Sequence, residues 1–349
     1  MYHEEPDPDD ESVPVLLQNN SIVTPFEAVT GMYSLPGRHD IDPTAILAPF
    51  YFLFFGLMLS DAAYGLILTT LCAIILKKYK PEGTTHRMIK MFMFCGLSTF
   101  MWGALFGGWF GNFFTVAAKT FFGKEFVIKP LWFDPLSEPM KLLVVSLILG
   151  AIHLFVGMGV QAYMDIKDGR PLDALFDIGL WYLLLIGIVL FAFGGKLGAG
   201  AVGIGKIMAI IGAVGILLTG GRKKKGIFGK LTGGLGSLYG ITSYLSDVLS
   251  YSRLLALGLA TGVVAQVFNT LGSLAGGGIA GSVLLIVVFA FGTVFNIAIN
   301  ALGAFVHSCR LQYVEFFGKF YTGGGRPFAP FERKTKYIKI LKEGNDNVK

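Results

Sequence analysis

Arg253 lies near the middle of an apolar run covering about 235–271. At ~1.5 Å of rise per residue that run makes a helix of roughly 50 Å, well beyond the ~30 Å hydrocarbon core of a bilayer. A guanidinium does not shed its proton in a protein. Placing one at bilayer depth costs at least ~2.5–3.5 kcal/mol. A fold keeps such a group only where something answers its charge. The nearest acid in sequence, Asp247, is six residues away and off the helical face of Arg253, so it is not an evident local partner.

The rest of the chain fits the same solvent. Of its 349 residues 53% are hydrophobic and only 15% charged, whereas a soluble domain carries closer to a quarter charged. Several runs are long enough to cross a bilayer, and the alternating ten-residue pattern of a membrane barrel is absent from the sequence. The expected class is therefore all-α, a polytopic membrane protein. The net charge of +6 is gathered in a few loops and the tail, as the positive-inside rule produces, so it does not argue for nucleic acid. Cys72, Cys95 and Cys309 all lie in apolar runs, match no metal or disulfide spacing, and read as buried core residues. No cofactor or metal is expected. The sequence has no G-x-x-x-x-G-K-[ST], HExxH or CxxC; any ATP used is bound by another chain.

Residues 1–44 are polar and dotted with proline, a soluble lead-in without a core of its own. The acidic N-terminus lacks the apolar stretch of a signal peptide. The run 46–76 is apolar except at Ser60-Asp61, long for one span and short for two, which fits two short helices meeting there. Further spans are expected at about 88–114, 140–163, 174–193 and 202–220, then the Arg253 helix, then a last helix over 279–318. Lys77, Lys78, Lys80, Arg87 and Lys90, the Arg222–Lys225 cluster with Lys230, and the basic tail from 321 to 349 fall on one side of this arrangement. With two helices in 46–76 there are eight transmembrane helices and both termini are cytoplasmic; with one there are seven and the N-terminus is outside. The transmembrane part is expected to occupy 45–320. The last two helices are too long to stand upright, and tilt steeply or project from the membrane.

Polar residues in the spans form two stripes. Asn296, Asn300, Gly303, His307 and Arg310 share one face of the last helix, and Ser243, Ser246, Ser250 and Arg253 share one face of the other. Such stripes either line an ion path or hydrogen-bond neighbouring helices. Asp61 is a proton relay or a helix cap, and His153 a relay or a bonded core residue. Glu315 is expected to pair with Lys319 at i+4 on the surface. Arg310 either faces the ion path or snorkels toward the basic end.

Ser250-Tyr-Ser-Arg253-Leu-Leu-Ala-Leu-Gly-Leu-Ala260 resembles the penultimate helix of the a/I subunit of V-type and A-type rotary ATPases. His307-Ser-Cys-Arg310 through Tyr321, followed by Gly323-Gly-Gly-Arg-Pro-Phe-Ala-Pro-Phe331, resembles its last helix and tail. Pro25-Phe-Glu27, Met32-Tyr-Ser-Leu-Pro36 and Phe55-Gly-Leu-Met-Leu-Ser-Asp61-Ala-Ala-Tyr-Gly65 match its entry segment and first helices. The resemblance covers nearly the whole chain, which reads as the membrane half of such a subunit.

The resemblance implies eight transmembrane helices, the first two short. It implies a stator subunit in which Arg253 and Arg310 face the carboxylates of a rotating proteolipid (c/K/L) ring. Two offset half-channels then couple H⁺ or Na⁺ flow to rotation, with peripheral and central stalk subunits and the catalytic sector as further partners. Eukaryotic members carry a glutamate ten residues before the last-helix arginine and a histidine eight after the other arginine. Here those positions are Asn300 and Thr261, so these two relay assignments do not carry over. From the stripes and depths, Asp61 and His153 are the outer half-channel candidates, and Ser243, Ser246, His307 and Asn300 the inner ones. The rival function is a secondary transporter with Arg253 as counter-ion of an anionic substrate, though no paired repeat of the usual kind is present in the sequence. A structural scaffold would leave Arg253 without a reason.

Overall fold

The computed structural model describes residues 13–37, 40–123, 128–196, 198–222, 227–274 and 278–328. The tail from 329 and the basic residues Lys223, Lys224 and Lys225 lie outside the described residues. Among the described residues the chain is almost wholly helical. Seven helices are long and apolar enough to cross a membrane, and a shorter apolar helix, Thr44–Leu59, accompanies them. The chain is a multi-pass α-helical membrane protein.

The lead-in folds as α1 (Glu27–Tyr33) after the short strand β1 (Pro14–Val15). Then come α2 (Thr44–Leu59), α3 (Ala62–Tyr79) and α4 (Gly83–Phe106). The break between α2 and α3 falls at Ser60-Asp61, as the sequence predicts. Ser60 closes α2 in the left-handed region (φ 34°), and Asp61 caps α3 by accepting from the amides of Ala63 and Tyr64. α2 is apolar all round and mostly buried, its second half from Phe54 to Leu59 wholly so, with Leu47, Tyr51, Phe54, Phe55, Leu57 and Met58 in the core. It is the axis of the bundle.

The loop expected over 115–139 contains a further helix, α5 (Phe113–Phe122), after which α6 (Pro139–Lys167) starts with proline in its first turn. A wide π turn (Ala174–Gly179) leads into α7 (Leu180–Phe193), which pairs with α8 (Ala199–Thr219). Gly187 and Gly205 let these two backbones touch; a Cβ on Gly187 would meet the Ala209 amide nitrogen at 2.5 Å. This hairpin packs on α6 through its own core of Met158, Ile178, Trp181, Leu184 and Ile216.

The Arg253 segment is not one smooth helix. It runs as α9 (Ile227–Tyr239), α10 (Ile241–Ser250) and α11 (Ser252–Ser273), joined by tight turns at Gly240 and Tyr251. Both junctions stay in the right-handed region (ψ −18° and −7°), so the path bends and continues. α12 (Ile279–Arg310) then runs antiparallel to α11: Leu285 packs at Gly272, Phe268 meets Phe295, and Leu257 lies at Gly303. α12 passes into a π turn (Leu311–Phe316) and ends in the short α13 (Phe317–Phe320).

Lead-in and tail are tied to each other. β1 pairs in parallel with β2 (Arg326–Pro327), and Leu35 bridges Gly325. Asp40 accepts from the Gly323 amide (2.7 Å) and the Thr322 hydroxyl (2.8 Å), and the Gly324 amide donates to Ser34 (2.8 Å). Tyr321 donates its hydroxyl proton to the Ser34 carbonyl (2.8 Å). Gly325 is required by close approach, since a Cβ there would sit 2.1 Å from the Pro36 oxygen. The lead-in also lends Phe26 and Val29 to the main core, and Glu27, buried, pairs with Arg87 at 3.0 Å. The three cysteines are buried and free.

Candidate functional site

Arg253 sits in the first turn of α11, immediately after the bend at Tyr251. Its guanidinium Nη1 lies 3.4 Å from Oε1 of Glu315, with the arginine side chain 26% exposed and the glutamate 3%. This corrects two expectations from sequence. Arg253 has an acidic partner, and it lies 62 residues away. Glu315 is not on the surface and does not pair with Lys319. Lys319 instead pairs with Asp247 of α10 and lies over the Tyr244 ring at 4.4 Å. The cause is the π turn. Its wider winding breaks the i,i+4 stacking that an α-helix imposes, and turns Gln312, Glu315 and Phe316 into the core.

Arg310, the last residue of α12 before that turn, points the other way. It is exposed and forms no ion pair among the described residues. Leu302, Val306 and Val314 share its exposed face. On α10 and α11, Leu249, Val263 and Val267 are likewise exposed. The two arginines thus stand on a largely apolar wall built by α10–α12.

Behind Arg253 lies a packed polar centre. Tyr251 is fully buried and its hydroxyl contacts Nδ1 of His153 at 2.8 Å. The His153 ring stacks on Phe316 (4.3 Å) and lies against Phe50 (4.4 Å), with the side chain of Gln312 alongside. His153 is therefore placed next to the Glu315 turn, not beside Asp61. Gly150 makes room for Tyr251, since a Cβ there would meet its ring at 2.4 Å.

The Asn stripe of α12 is also engaged. Asn296 donates to the Tyr64 hydroxyl (3.0 Å) and the Thr261 carbonyl (3.1 Å), and Asn300 donates to the Asn296 carbonyl (3.1 Å). Thr261 in turn donates to the Met58 carbonyl (3.3 Å). These bonds tie α2, α3, α11 and α12 together, as polar groups between membrane helices commonly do. His307 is half-buried between this group and Arg310. Ser243 and Ser246 are exposed on α10; the Ser246 carbonyl accepts from Ser250 (3.1 Å).

Asp61 borders a cavity of about 210 Å³ that also touches Trp109, Asn112, Asp134, Gly258 and Gln266. Its carboxylate is fully engaged. Oδ1 accepts from the amides of Ala63 (3.0 Å), Tyr64 (3.2 Å) and Phe110 (3.1 Å), and Oδ2 from Gly111 (2.9 Å). Asn269 holds the same turn from the α11 side, through the Phe110 carbonyl (2.9 Å) and the Asn112 side chain (3.1 Å). Phe110 and Gly111 both have positive φ (53° and 63°), and the Asp61 clamp holds that backbone in place. A second, polar cavity of about 350 Å³ lies near the other end of α6, between Gln161, Asp165, Asp173, Asp177, Tyr244 and Lys319. Arg222 reaches its rim and pairs with Asp173 and Asp177.

Comparison with known proteins converges on the same helices. Residues 241–333 match the model of the V-type ATPase 116kDa subunit family. Over 95% of its length the chain is 36% identical to the A-type ATP synthase subunit I of Methanocaldococcus jannaschii, covering 51% of that protein. It is 37% identical over 95% of its length to the A-type ATP synthase subunit I of Thermococcus kodakarensis, covering 49%. It is 24% identical over 94% of its length to the V-type ATP synthase subunit I of Chlamydia trachomatis, covering 57%. The chain spans about half the length of the curated relatives it matches. The segment that matches the V-type ATPase 116kDa subunit family carries both arginines and the π turn, and the chain as a whole is similar to about half of an archaeal subunit I.

Proposed function

We propose that the chain is the membrane stator of a rotary ATPase, presenting Arg253 and Arg310 to the carboxylates of a rotating proteolipid ring. It contributes no ATP site; peripheral and central stalk subunits link it to the catalytic sector. The observation that carries this reading is the wall of α10–α12: a half-exposed arginine amid exposed apolar side chains, within the family-matched segment. A ring carboxylate passing such a wall is ionised beside the guanidinium and must be neutralised by H⁺ or Na⁺ before it re-enters lipid, because an unpaired charge is costly there. Two offset aqueous paths then force the ion to ride the ring between them.

The cavity beside Asp61 is the proposed outer path, with His153 deeper in the bundle. The inner path is proposed along Ser243, Ser246, His307 and Asn300, with the polar cavity around Lys319 as its mouth. Eight spans, counting α2 and α3 separately, put both termini and the basic loops on the cytoplasmic side.

Ion flux in a reconstituted holoenzyme, with ATP hydrolysis followed in parallel, tests the reading. Arg253→Ala is expected to abolish coupled pumping in an assembled complex. Pumping at the wild-type rate in that variant refutes the stator role of Arg253.

A further inference from the structure

The guanidinium that faces outward is already answered from inside its own chain. Glu315 reaches Arg253 with one oxygen and one nitrogen, at 3.4 Å. A guanidinium has five N–H donors in a planar fork, so this single long contact leaves most of the fork free. Exposure is divided unequally: the arginine is 26% exposed and the glutamate 3%. A carboxylate arriving from outside therefore meets the arginine and never the glutamate. The neighbouring Ser250 hydroxyl donates to the Ser246 carbonyl (3.1 Å) and lies beside the Glu315 carboxylate, so the buried side of that carboxylate is answered by a hydroxyl and not by a second cation. The π turn fixes this arrangement, because it buries Glu315 five residues after an exposed Arg310.

We propose that Glu315 is the resident counter-ion of Arg253 and weakens the hold of the arginine on each ring carboxylate so that it can be released. The inference rests on the stator reading above. Two carboxylates that share one cation each bind it less tightly than either would alone. With Glu315 in place, Arg253 has a counter-charge between visits and makes an incoming carboxylate compete for it. With Glu315 neutralised, the whole cation is available to the ring carboxylate. Docking is then tighter and departure slower. Glu315 is thus a positioning residue that acts through Arg253.

The test uses the reconstituted holoenzyme with Glu315→Gln, Glu315→Asp and the double variant Glu315→Gln/Arg253→Lys. Glu315→Gln is expected to assemble and to lower the maximal pumping rate about tenfold, the size of one charge-assisted hydrogen bond, with KM for ATP unchanged. Glu315→Asp is expected to stay within about threefold of wild type, since the charge is kept. Arg253→Lys is expected to restore speed in the Gln background, because a compact ammonium lacks the fork that grips a carboxylate at two points. A structural role for Glu315 predicts no such restoration. A wild-type rate in Glu315→Gln, failure of that variant to assemble, or no restoration by Arg253→Lys each overturns the proposal. Wild-type pumping by Arg253→Ala would instead refute the stator reading itself.

Discussion

The Asp61 clamp makes a prediction that separates two oxygens of one side chain. Oδ1 holds three amides, at Ala63, Tyr64 and Phe110, and Oδ2 holds one, at Gly111. Asp61→Asn keeps an oxygen at the three-amide position and turns an NH₂ toward Gly111. Asp61→Ala removes every acceptor. A hydrogen bond to a charged acceptor contributes about 1.5 kcal/mol at the low end of its range. On that figure Asn weakens the clamp by about 1.5 kcal/mol and Ala by about 6 kcal/mol. Hydrogen–deuterium exchange on the full chain in lipid nanodiscs reads the two cases residue by residue. In Asp61→Asn, exchange at Gly111 is expected to rise about tenfold, as 1.4 kcal/mol implies, while Ala63 and Tyr64 stay protected. In Asp61→Ala all four amides should open. Equal exchange at all four positions in the two variants would refute the assignment of roles to the two oxygens. Wild-type protection in Asp61→Ala would refute the clamp.

Three further outcomes follow from packing and bonding elsewhere. Gly103→Val should abolish folding of the chain, because a Cβ there lies 2.0 Å from the Ala62 nitrogen and 2.4 Å from the Asp61 carbonyl carbon, backbone atoms that cannot step aside; Gly236→Ala, which meets nothing within 4 Å, should fold normally, and yield of monodisperse protein in detergent compares them. Tyr251→Phe keeps the ring in its slot but strips His153 of its Nδ1 partner. A loss of about 1–3 kcal/mol is expected, read as a lower midpoint of thermal unfolding by tryptophan fluorescence. Asp40→Ala removes the acceptor of Thr322 and Gly323, so limited proteolysis should cut faster near 322–325 while the membrane spans stay resistant.

The helices were legible because apolar runs of bilayer length leave few alternatives, and the α2–α3 break was legible because Ser60-Asp61 interrupts one of them. The cap and relay readings of Asp61 were both open in sequence; the amides of Phe110 and Gly111, about fifty residues on, reveal how fully its oxygens are occupied. The Arg253–Glu315 pair was hidden for a different reason. An α12 that kept its phase through residue 315 would set Glu315 beside Lys319. Nothing in Leu311–Phe316 announces a π turn, so the phase error was invisible. The signal available was an unanswered one: an arginine at bilayer depth demands an acid, and Glu315 is the acid on the partner helix. Asn296 and Asn300 lie one turn apart, but the partners of Asn296, Tyr64 and Thr261, lie on other helices, while Asn300 bonds back to Asn296.

The π turn also sets a register. An α-helix advances about 100° per residue, and the wider turn absorbs one residue more than an α turn would. Deleting a single residue between 311 and 316 would let the segment relax to ordinary winding and swing everything after it by about a quarter of a revolution. Lys319 would leave Asp247 and Tyr321 would leave Ser34, although no side chain that makes those contacts had been altered. The stretch after the turn is thus timed by count as well as by composition: the contacts of Lys319 and Tyr321 depend on how many residues precede them.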